Sequence, residues 1–179
     1  KVVGYYSAAE RLIKACLNMQ SILGQVYLPH MSSLVKQGKM IMMKSLKDVA
    51  LITMLISMTG TLIIFFFSDL IINILYGADF VRSILPLRVM SFLFVIIGMS
   101  NIMGMQILLP LGKRTQLSYP IVVAGVLSVL SLFFLAPAYL ETGAALSFVI
   151  SELTVTTWLF VYLFRNWHRL MSINSIEWR

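Results

Sequence analysis

Few residues in this sequence are charged, and very few can bind a metal or form a disulfide. Lys, Arg, Asp and Glu make up 12% of the 179 residues, about half the share found in soluble domains. Cys16 is the single cysteine, so no disulfide can form within the chain. His30 and His168 lie far apart and have no cysteine partners, so the sequence predicts neither a metal site nor a cofactor.

Motifs for catalysis are also missing. The sequence contains no phosphate-binding loop, no nucleophile-elbow serine and no HExxH helix. It also lacks a pair of carboxylates inside its apolar segments that could act as acid and base. These absences predict that the protein is not an enzyme.

Apolar residues dominate what is present. They make up 59% of the sequence, and the mean hydropathy is +0.90. A soluble fold of this size could not bury so much apolar surface, whereas lipid tails accept it. The net charge of +7 would suggest nucleic acid as a partner of a soluble domain. Here the cations lie between apolar runs, so we predict a membrane protein with no nucleic-acid partner.

The apolar runs have the length of membrane spans, which need roughly 20 residues each. Four runs meet this length, and a fifth segment near the N-terminus does so while carrying Glu10, Arg11 and Lys14. The sequence thus predicts an all-α, polytopic transmembrane helical bundle of about five spanning helices, forming a single membrane domain over residues 1–179. The predicted helices cover about residues 3–30, 49–68, 84–109, 117–139 and 143–164, and residues 165–179 form a cytoplasmic tail.

Basic residues alternate with the predicted spans and indicate an orientation. One side carries nine of them, against Lys1 and Arg82 on the other side. Cytoplasmic connections are enriched in Lys and Arg, so the nine-residue side is predicted to be cytoplasmic, which puts the N-terminus outside and the C-terminus inside. The nine are Lys36, Lys39, Lys44, Lys47, Lys113, Arg114, Arg165, Arg169 and Arg179.

Polar residues recur along the first predicted helix at helical spacing. Steps of three and four residues place them on one face. They are Ser7, Arg11, Lys14, Asn18, Ser21 and Gln25. Such a stripe across a bilayer must face water or protein. We interpret it as the wall of a hydrated cavity in which Arg11 and Lys14 attract an anion, such as a phosphate. Two alternatives are a structural ion pair between Glu10 and Lys14 and a helix lying flat in the membrane interface.

Isolated polar residues in the later helices are further candidates. Glu152 is the only charge inside the last span, so we expect it to be paired with Lys14 or Arg11, or to be a proton or cation coupling group. Asn101 and Gln106 lie in the third helix with two glycines, which favours helix–helix contact, the alternative being hydrogen bonds to a sugar. Arg88 is expected to extend to the outer interface or to meet an anionic headgroup.

Three stretches of the sequence resemble the bacterial polysaccharide transporters of the Wzx-type O-antigen flippase family. They are Val3-Gly-Tyr-Tyr-Ser-Ala-Ala-Glu-Arg-Leu12, Leu75-Tyr-Gly-Ala-Asp-Phe80 followed by Leu85-Pro-Leu-Arg-Val89, and Gln106-Ile-Leu-Leu-Pro-Leu-Gly-Lys113. The resemblance extends over about residues 1–165. It implies a protein of about twelve helices in two lobes around a central cavity, of which this chain supplies the last five. The chain is thus expected to be a C-terminal fragment with an incomplete second lobe, unable to transport alone.

The resemblance also implies a substrate and a location. Such proteins move an undecaprenyl-diphosphate-linked oligosaccharide across the bacterial inner membrane, and a polysaccharide polymerase and chain-length proteins are expected partners. A cation-coupled multidrug exporter and a lipid II flippase of the same fold are the alternatives. A membrane-embedded enzyme is a further class, but the longest connection, about residues 31–48, is rich in lysine and has no acid–base set.

Overall fold

The computed structural model describes residues 2–172, and it places them in helices and short turns with no β-strand among them. Each helix is long and mostly apolar, as the hydropathy predicts. The helical elements are α1 (Val2–Gln37), α2 (Lys39–Tyr76), α3 (Ala78–Leu108) and a final element, Thr115–Ser172.

The final element is two helices and not one. Leu140 has a φ of 50° and a ψ of −125°, which no helix contains. The chain reverses at Leu140. The reversal is shown by a hydrogen bond between the two arms, from the Ser151 hydroxyl to the backbone oxygen of Ala124 at 3.3 Å. We therefore name two arms of a hairpin, α4 (residues 115–139) and α5 (residues 141–172). Part of the predicted tail is helical as a result, since α5 continues to Ser172, and residues 173–179 lie outside the described residues.

Three of these elements are long and apolar enough to cross a membrane: Met40–Tyr76, Ala78–Leu108 and Thr115–His168. The last of the three contains both arms of the hairpin. The described residues thus confirm an all-α, polytopic membrane bundle. The spanning role of α1 stays a prediction, because its charges keep it below the hydropathy of the others.

Consecutive helices run antiparallel. Between α1 and α2, His30 and Ser45 are in hydrogen-bond contact at 3.3 Å, and Gln20 and Ser57 at 2.5 Å. Only Gly38 separates the two helices, with a φ of 133° that favours glycine. The predicted loop over residues 31–48 is therefore wrong: these residues extend both helices. Hydropathy falls where charged residues begin, whereas a helix can continue into water with its own backbone hydrogen bonds.

The backbone of α3 changes type along its length. A 3₁₀ turn over Ala78–Ser83 precedes the α-helical part, and the helix ends as a π-helix over Ile102–Leu108. In the π-helix, the amide of Leu109 donates to the backbone oxygen of Gly104 at 2.9 Å. Such wide turns are rare and occur mostly at functional sites.

The buried side chains form two apolar clusters, one towards each end of the bundle. Ile13, Leu87 and Met90 are central to one cluster, near the end that carries the Leu140 reversal. Met31 and Leu108 belong to the other, near the end that carries Gly38. Both clusters combine residues from α1, α2, α3 and α5, whereas α4 lies at the periphery of the bundle and exposes most of its apolar side chains.

Candidate functional site

The first helix packs against the bundle through one narrow face. Ala9 and Ile13 are fully buried on this face, and Leu17 and Gln20 follow at helical spacing with less than a tenth of their surface exposed. Small and branched residues at these positions let α2 and α3 approach closely. Other parts of the α1 surface are exposed.

The polar stripe predicted from the sequence lies on this exposed surface. Arg11, Lys14, Asn18 and Gln25 are exposed, and Ser7 and Ser21 are half-buried. The Ser21 hydroxyl donates to the backbone oxygen of Asn18 at 2.8 Å, a bond within the helix. The stripe is therefore not used for packing among residues 2–172.

An apolar face borders the stripe on its other side. Met19 is 72% exposed, and Ile22 and Val26 are more than half exposed. In a membrane this face suits lipid, whereas the polar stripe needs water or a polar partner. The helix thus presents three different surfaces: one to the bundle, one suited to lipid, and one suited to a hydrated cavity.

Of the two cations in the stripe, Lys14 forms an ion pair and Arg11 does not. Lys14 Nζ lies 2.6 Å from Glu10 Oε1, as the structural alternative expects for this spacing. Arg11 makes no ion pair or side-chain hydrogen bond with any described residue. The pair of Glu10 and Lys14 is neutral, so the stripe keeps the single positive charge of Arg11. This arrangement can attract an anion into a cavity that α1 borders.

Glu152 is half-buried on α5, and the structure does not bring it to the stripe. No ion pair joins its carboxylate to Arg11 or Lys14 in the described part of the chain, and Lys14 is paired with Glu10 instead. Its backbone oxygen accepts the Thr156 hydroxyl at 2.8 Å. The same hydroxyl also contacts the Ile96 oxygen of α3 at 3.2 Å, so α5 is bonded to α3 next to this carboxylate.

Asn101 and Gln106 occupy different positions on α3. Gln106 is buried, and its amide nitrogen donates to the backbone oxygen of Gly24 on α1 at 3.0 Å. That bond is a helix–helix contact of the kind expected from the sequence. Asn101 is half-buried where the π-helix begins, and no hydrogen bond joins it to α1 among the described residues. Its place in a substrate cavity stays a prediction.

Gln20 is a buried amide that the sequence pattern did not single out. Its amide nitrogen donates to the Ser57 hydroxyl of α2 at 2.5 Å and to the Phe94 oxygen of α3 at 3.2 Å. A Cβ at Gly98 would meet both Gln20 and Ser57, so this glycine makes room for the contact. The amide oxygens of Gln20 and Gln106 have no hydrogen-bond partner in the structure. The two glutamines tie α1 to α2 and α3 inside an apolar bundle.

We expect Gln20→Ala to lower the stability of the full-length protein, because it removes both hydrogen bonds to neighbouring helices. Hydrogen bonds in membrane bundles contribute about 0.6 kcal/mol on average and up to about 2 kcal/mol. Thermal unfolding in detergent measures the change. Gln25→Ala is the matched control, since Gln25 is exposed on the same helix. Equal melting temperatures for the two variants would show that the buried amide does not hold the helices together.

Ion pairs gather at the end of the bundle where the chain reverses at Leu140. Arg82 Nε lies 2.8 Å from Glu141 Oε1, and its guanidinium stands 5.6 Å from the Tyr5 ring centre. Arg88 bonds to Asp69 and to the Ser68 hydroxyl. Both partners lie on α2, and the extension of Arg88 to the outer interface, or to an anionic headgroup, stays a prediction. The predicted spans leave Arg82 and Glu141 in connections on the same membrane side. That was the sequence information from which their pairing could have been expected.

No group of His, Cys, Asp or Glu within residues 2–172 is arranged to hold a metal ion. The α1 stripe presents a guanidinium, amides and hydroxyls on its accessible surface. These groups donate hydrogen bonds to anions and to sugars and do not supply a nucleophile with its base. The arrangement thus favours binding and passage of a polar molecule.

The fold and this polar surface define a multi-pass α-helical membrane protein. Comparison with known proteins agrees. Residues 1–85 match a family model described as "Polysaccharide biosynthesis protein". Over 168 residues, 92% of this chain, the sequence is 27% identical to the "Putative O-antigen transporter" of Escherichia coli (strain K12). These findings confirm the similarity to bacterial polysaccharide transporters.

The chain spans 40% of the length of that relative. No solved structure matches the chain. The similarity to known proteins is thus a similarity of sequence. The arrangement of the helices is known from the structure described above.

Proposed function

We propose that this chain is part of a flippase that moves lipid-linked polysaccharide repeat units across the bacterial inner membrane. The substrate is an oligosaccharide on undecaprenyl diphosphate, and its diphosphate passes along the polar face of α1. The observation that carries the proposal is Arg11, a cation without a carboxylate partner among the described residues, in a stripe of hydroxyls and amides. The protein acts as a transporter, not as an enzyme.

The charges at the two ends of the bundle support an orientation. At the Leu140 end, Arg82 and Arg88 are each paired with a carboxylate. At the opposite end, Lys44, Lys47 and Arg165 make no ion pair with a described residue. An excess of Lys and Arg is typical of the cytoplasmic side. We infer that the N-terminus of the chain faces the periplasm and that α5 leads into the cytoplasm, with the Gly38 turn also cytoplasmic.

The full-length protein that contains this chain provides the test. It is expressed in a strain that lacks its own O-antigen flippase, and polysaccharide on the cell surface is measured. We expect surface polysaccharide to be restored. A second strain, depleted of its lipid II flippase, separates the two substrates: growth should not be rescued. Rescue of growth without polysaccharide would assign the protein to lipid II instead.

One observation favours a second candidate, a cation-coupled multidrug exporter. Glu152 is a half-buried carboxylate inside a predicted span and has no cationic partner among the described residues, as a coupling group would. The two proposals differ in what Glu152→Gln does.

For the flippase, we expect Glu152→Gln to keep most of the polysaccharide display, because an amide keeps a hydrogen-bonding group at this depth. Glu152→Leu should be more harmful, since it removes that group. For a coupled exporter, both changes should stop transport equally, because neither side chain can bind and release a proton. Surface polysaccharide and drug resistance, measured in parallel at matched protein levels, distinguish the outcomes.

A further inference from the structure

A groove lies on the outer side of the C-terminal hairpin, away from the α1 stripe. Its cavity volume is about 940 Å³, and side chains of α5 line it, with Gln116 at the beginning of α4. Leu159 and Leu163 face the bundle from α5 and are buried. Val161 and Trp158 point the other way and line the groove. The groove is thus separate from the surface proposed for transport.

The lining changes character along the helix. Ile150 and Leu153 line the apolar end, towards the middle of α5. Gln116, Arg165 and Asn166 line the polar end, at the same end of the bundle as the Gly38 turn. Ile150 and Arg165 are about 22 Å apart along the helix, from a rise of 1.5 Å per residue. One leaflet of the hydrocarbon core is about 15 Å deep, so the groove has the length and the polarity of a lipid in one leaflet.

The charge of the groove restricts which lipid fits. Arg165 is exposed, and it makes no ion pair within the part of the chain that the structure describes. No Asp or Glu among the described residues lines the groove. A guanidinium binds phosphate oxygens through its planar fork, whereas the ammonium of a zwitterionic lipid would find no carboxylate here.

We propose that this groove binds an anionic phospholipid of the cytoplasmic leaflet. Arg165 contacts the phosphate, Gln116 and Asn166 donate amide hydrogen bonds to the headgroup, and an acyl chain lies along Leu153 and Val161. The Asn166 amide donates to the Tyr162 backbone oxygen at 2.9 Å and keeps a second N–H for the lipid. The proposal does not depend on which substrate the full-length protein transports.

Photo-crosslinking in the full-length protein tests this. Benzoylphenylalanine replaces Val161 inside the groove or, as a control, Phe133 on α4, which is 75% exposed and does not line it. The protein is placed in vesicles of phosphatidylethanolamine and phosphatidylglycerol, and captured lipids are identified by mass spectrometry. We expect position 161 to capture phosphatidylglycerol about fivefold above its share of the bilayer, since one basic residue near the surface contributes about 1 kcal/mol. Position 133 should capture lipids at the bulk ratio.

Variants of the arginine separate its charge from its packing. Arg165→Gln should return the captured lipid to the bulk ratio, and Arg165→Lys should keep most of the enrichment. Arg114→Gln is the matched control, because Arg114 lies at the same membrane end outside the groove. The proposal is overturned by enrichment that survives Arg165→Gln, by capture at the bulk ratio, or by a crosslink to another segment of the same protein. A prenyl diphosphate is added to the vesicles in a parallel experiment, and its capture at position 161 would also overturn the proposal and would join the groove to the transport route.

Discussion

Replacing Arg11 with alanine should reduce transport by the full-length protein about ten- to hundredfold without reducing its amount in the membrane. Charge-assisted hydrogen bonds contribute about 1.5–3 kcal/mol, and each 1.36 kcal/mol corresponds to a factor of ten. The loss is expected to affect transport and not folding, because Arg11 is exposed and has no partner among the described residues. Surface polysaccharide per molecule of protein is the measurement.

Arg11→Lys should restore only part of the activity, because an ammonium cannot make the planar two-point contact with phosphate. Met19→Ala is the matched control, since Met19 is exposed on the lipid-suited face of the same helix. The ion-pair alternative makes a different prediction. If Glu10 and Lys14 serve only as a structural ion pair, replacing both with neutral residues should preserve protein level and transport. Normal polysaccharide display by Arg11→Ala, at normal protein level, would remove the main support for the α1 stripe as a substrate surface.

Gly143→Ala should strongly destabilise the terminal hairpin. A Cβ at this position would collide with the backbone carbonyl of Leu135 and would stand 3.0 Å from the backbone nitrogen of Ala136. A flexible side chain could change its rotamer to relieve such a clash, whereas these backbone atoms next to the Leu140 reversal cannot move in that way. Overpacking of this kind costs about 1–3 kcal/mol for one added methyl group, and Gly143→Leu should prevent correct folding.

Gly125→Ala on α4 is the matched control, because nothing lies within 4 Å of a Cβ built there. It should be neutral or should stabilise the protein by up to about 1 kcal/mol, since alanine favours a helix more than glycine does. Folded yield and thermal unfolding of the full-length variants in detergent measure both effects. If Gly143→Ala melts at the same temperature as Gly125→Ala, the close contact between the arms is not present in the membrane.

The polar face of α1 could be predicted because its signal is local. The spacing of Arg11, Lys14 and Asn18 along one helix places them together whatever the rest of the protein does. The class of fold follows in the same way from the length and hydropathy of each segment. Neither signal needs knowledge of which helix lies beside which.

The cross-helix contacts could not be predicted, because they depend on partners far away in the sequence. Gln20 meets Ser57 and Phe94 only when three helices are assembled. Gln20 follows Ile13 and Leu17 at helical spacing, but that spacing does not identify its partners on other helices. The π-helix in α3 is likewise invisible in the sequence, since its residues have the same hydropathy as an ordinary span. The predicted helices stop too early on both sides of Gly38, because the hydropathy falls there while the helices continue.

The single glycine between α1 and α2 has a mechanical consequence. The two helices contain 36 and 38 residues, so each is about 55 Å long, against a hydrocarbon core of about 30 Å. Contacts at His30–Ser45 and Gln20–Ser57, about 15 Å apart along α1, join them to each other. If α1 crosses the membrane as predicted, about 25 Å of the pair lies outside the hydrocarbon core. We expect a displacement of the Gly38 turn to move α1 and α2 together, because the two helices are bonded to each other.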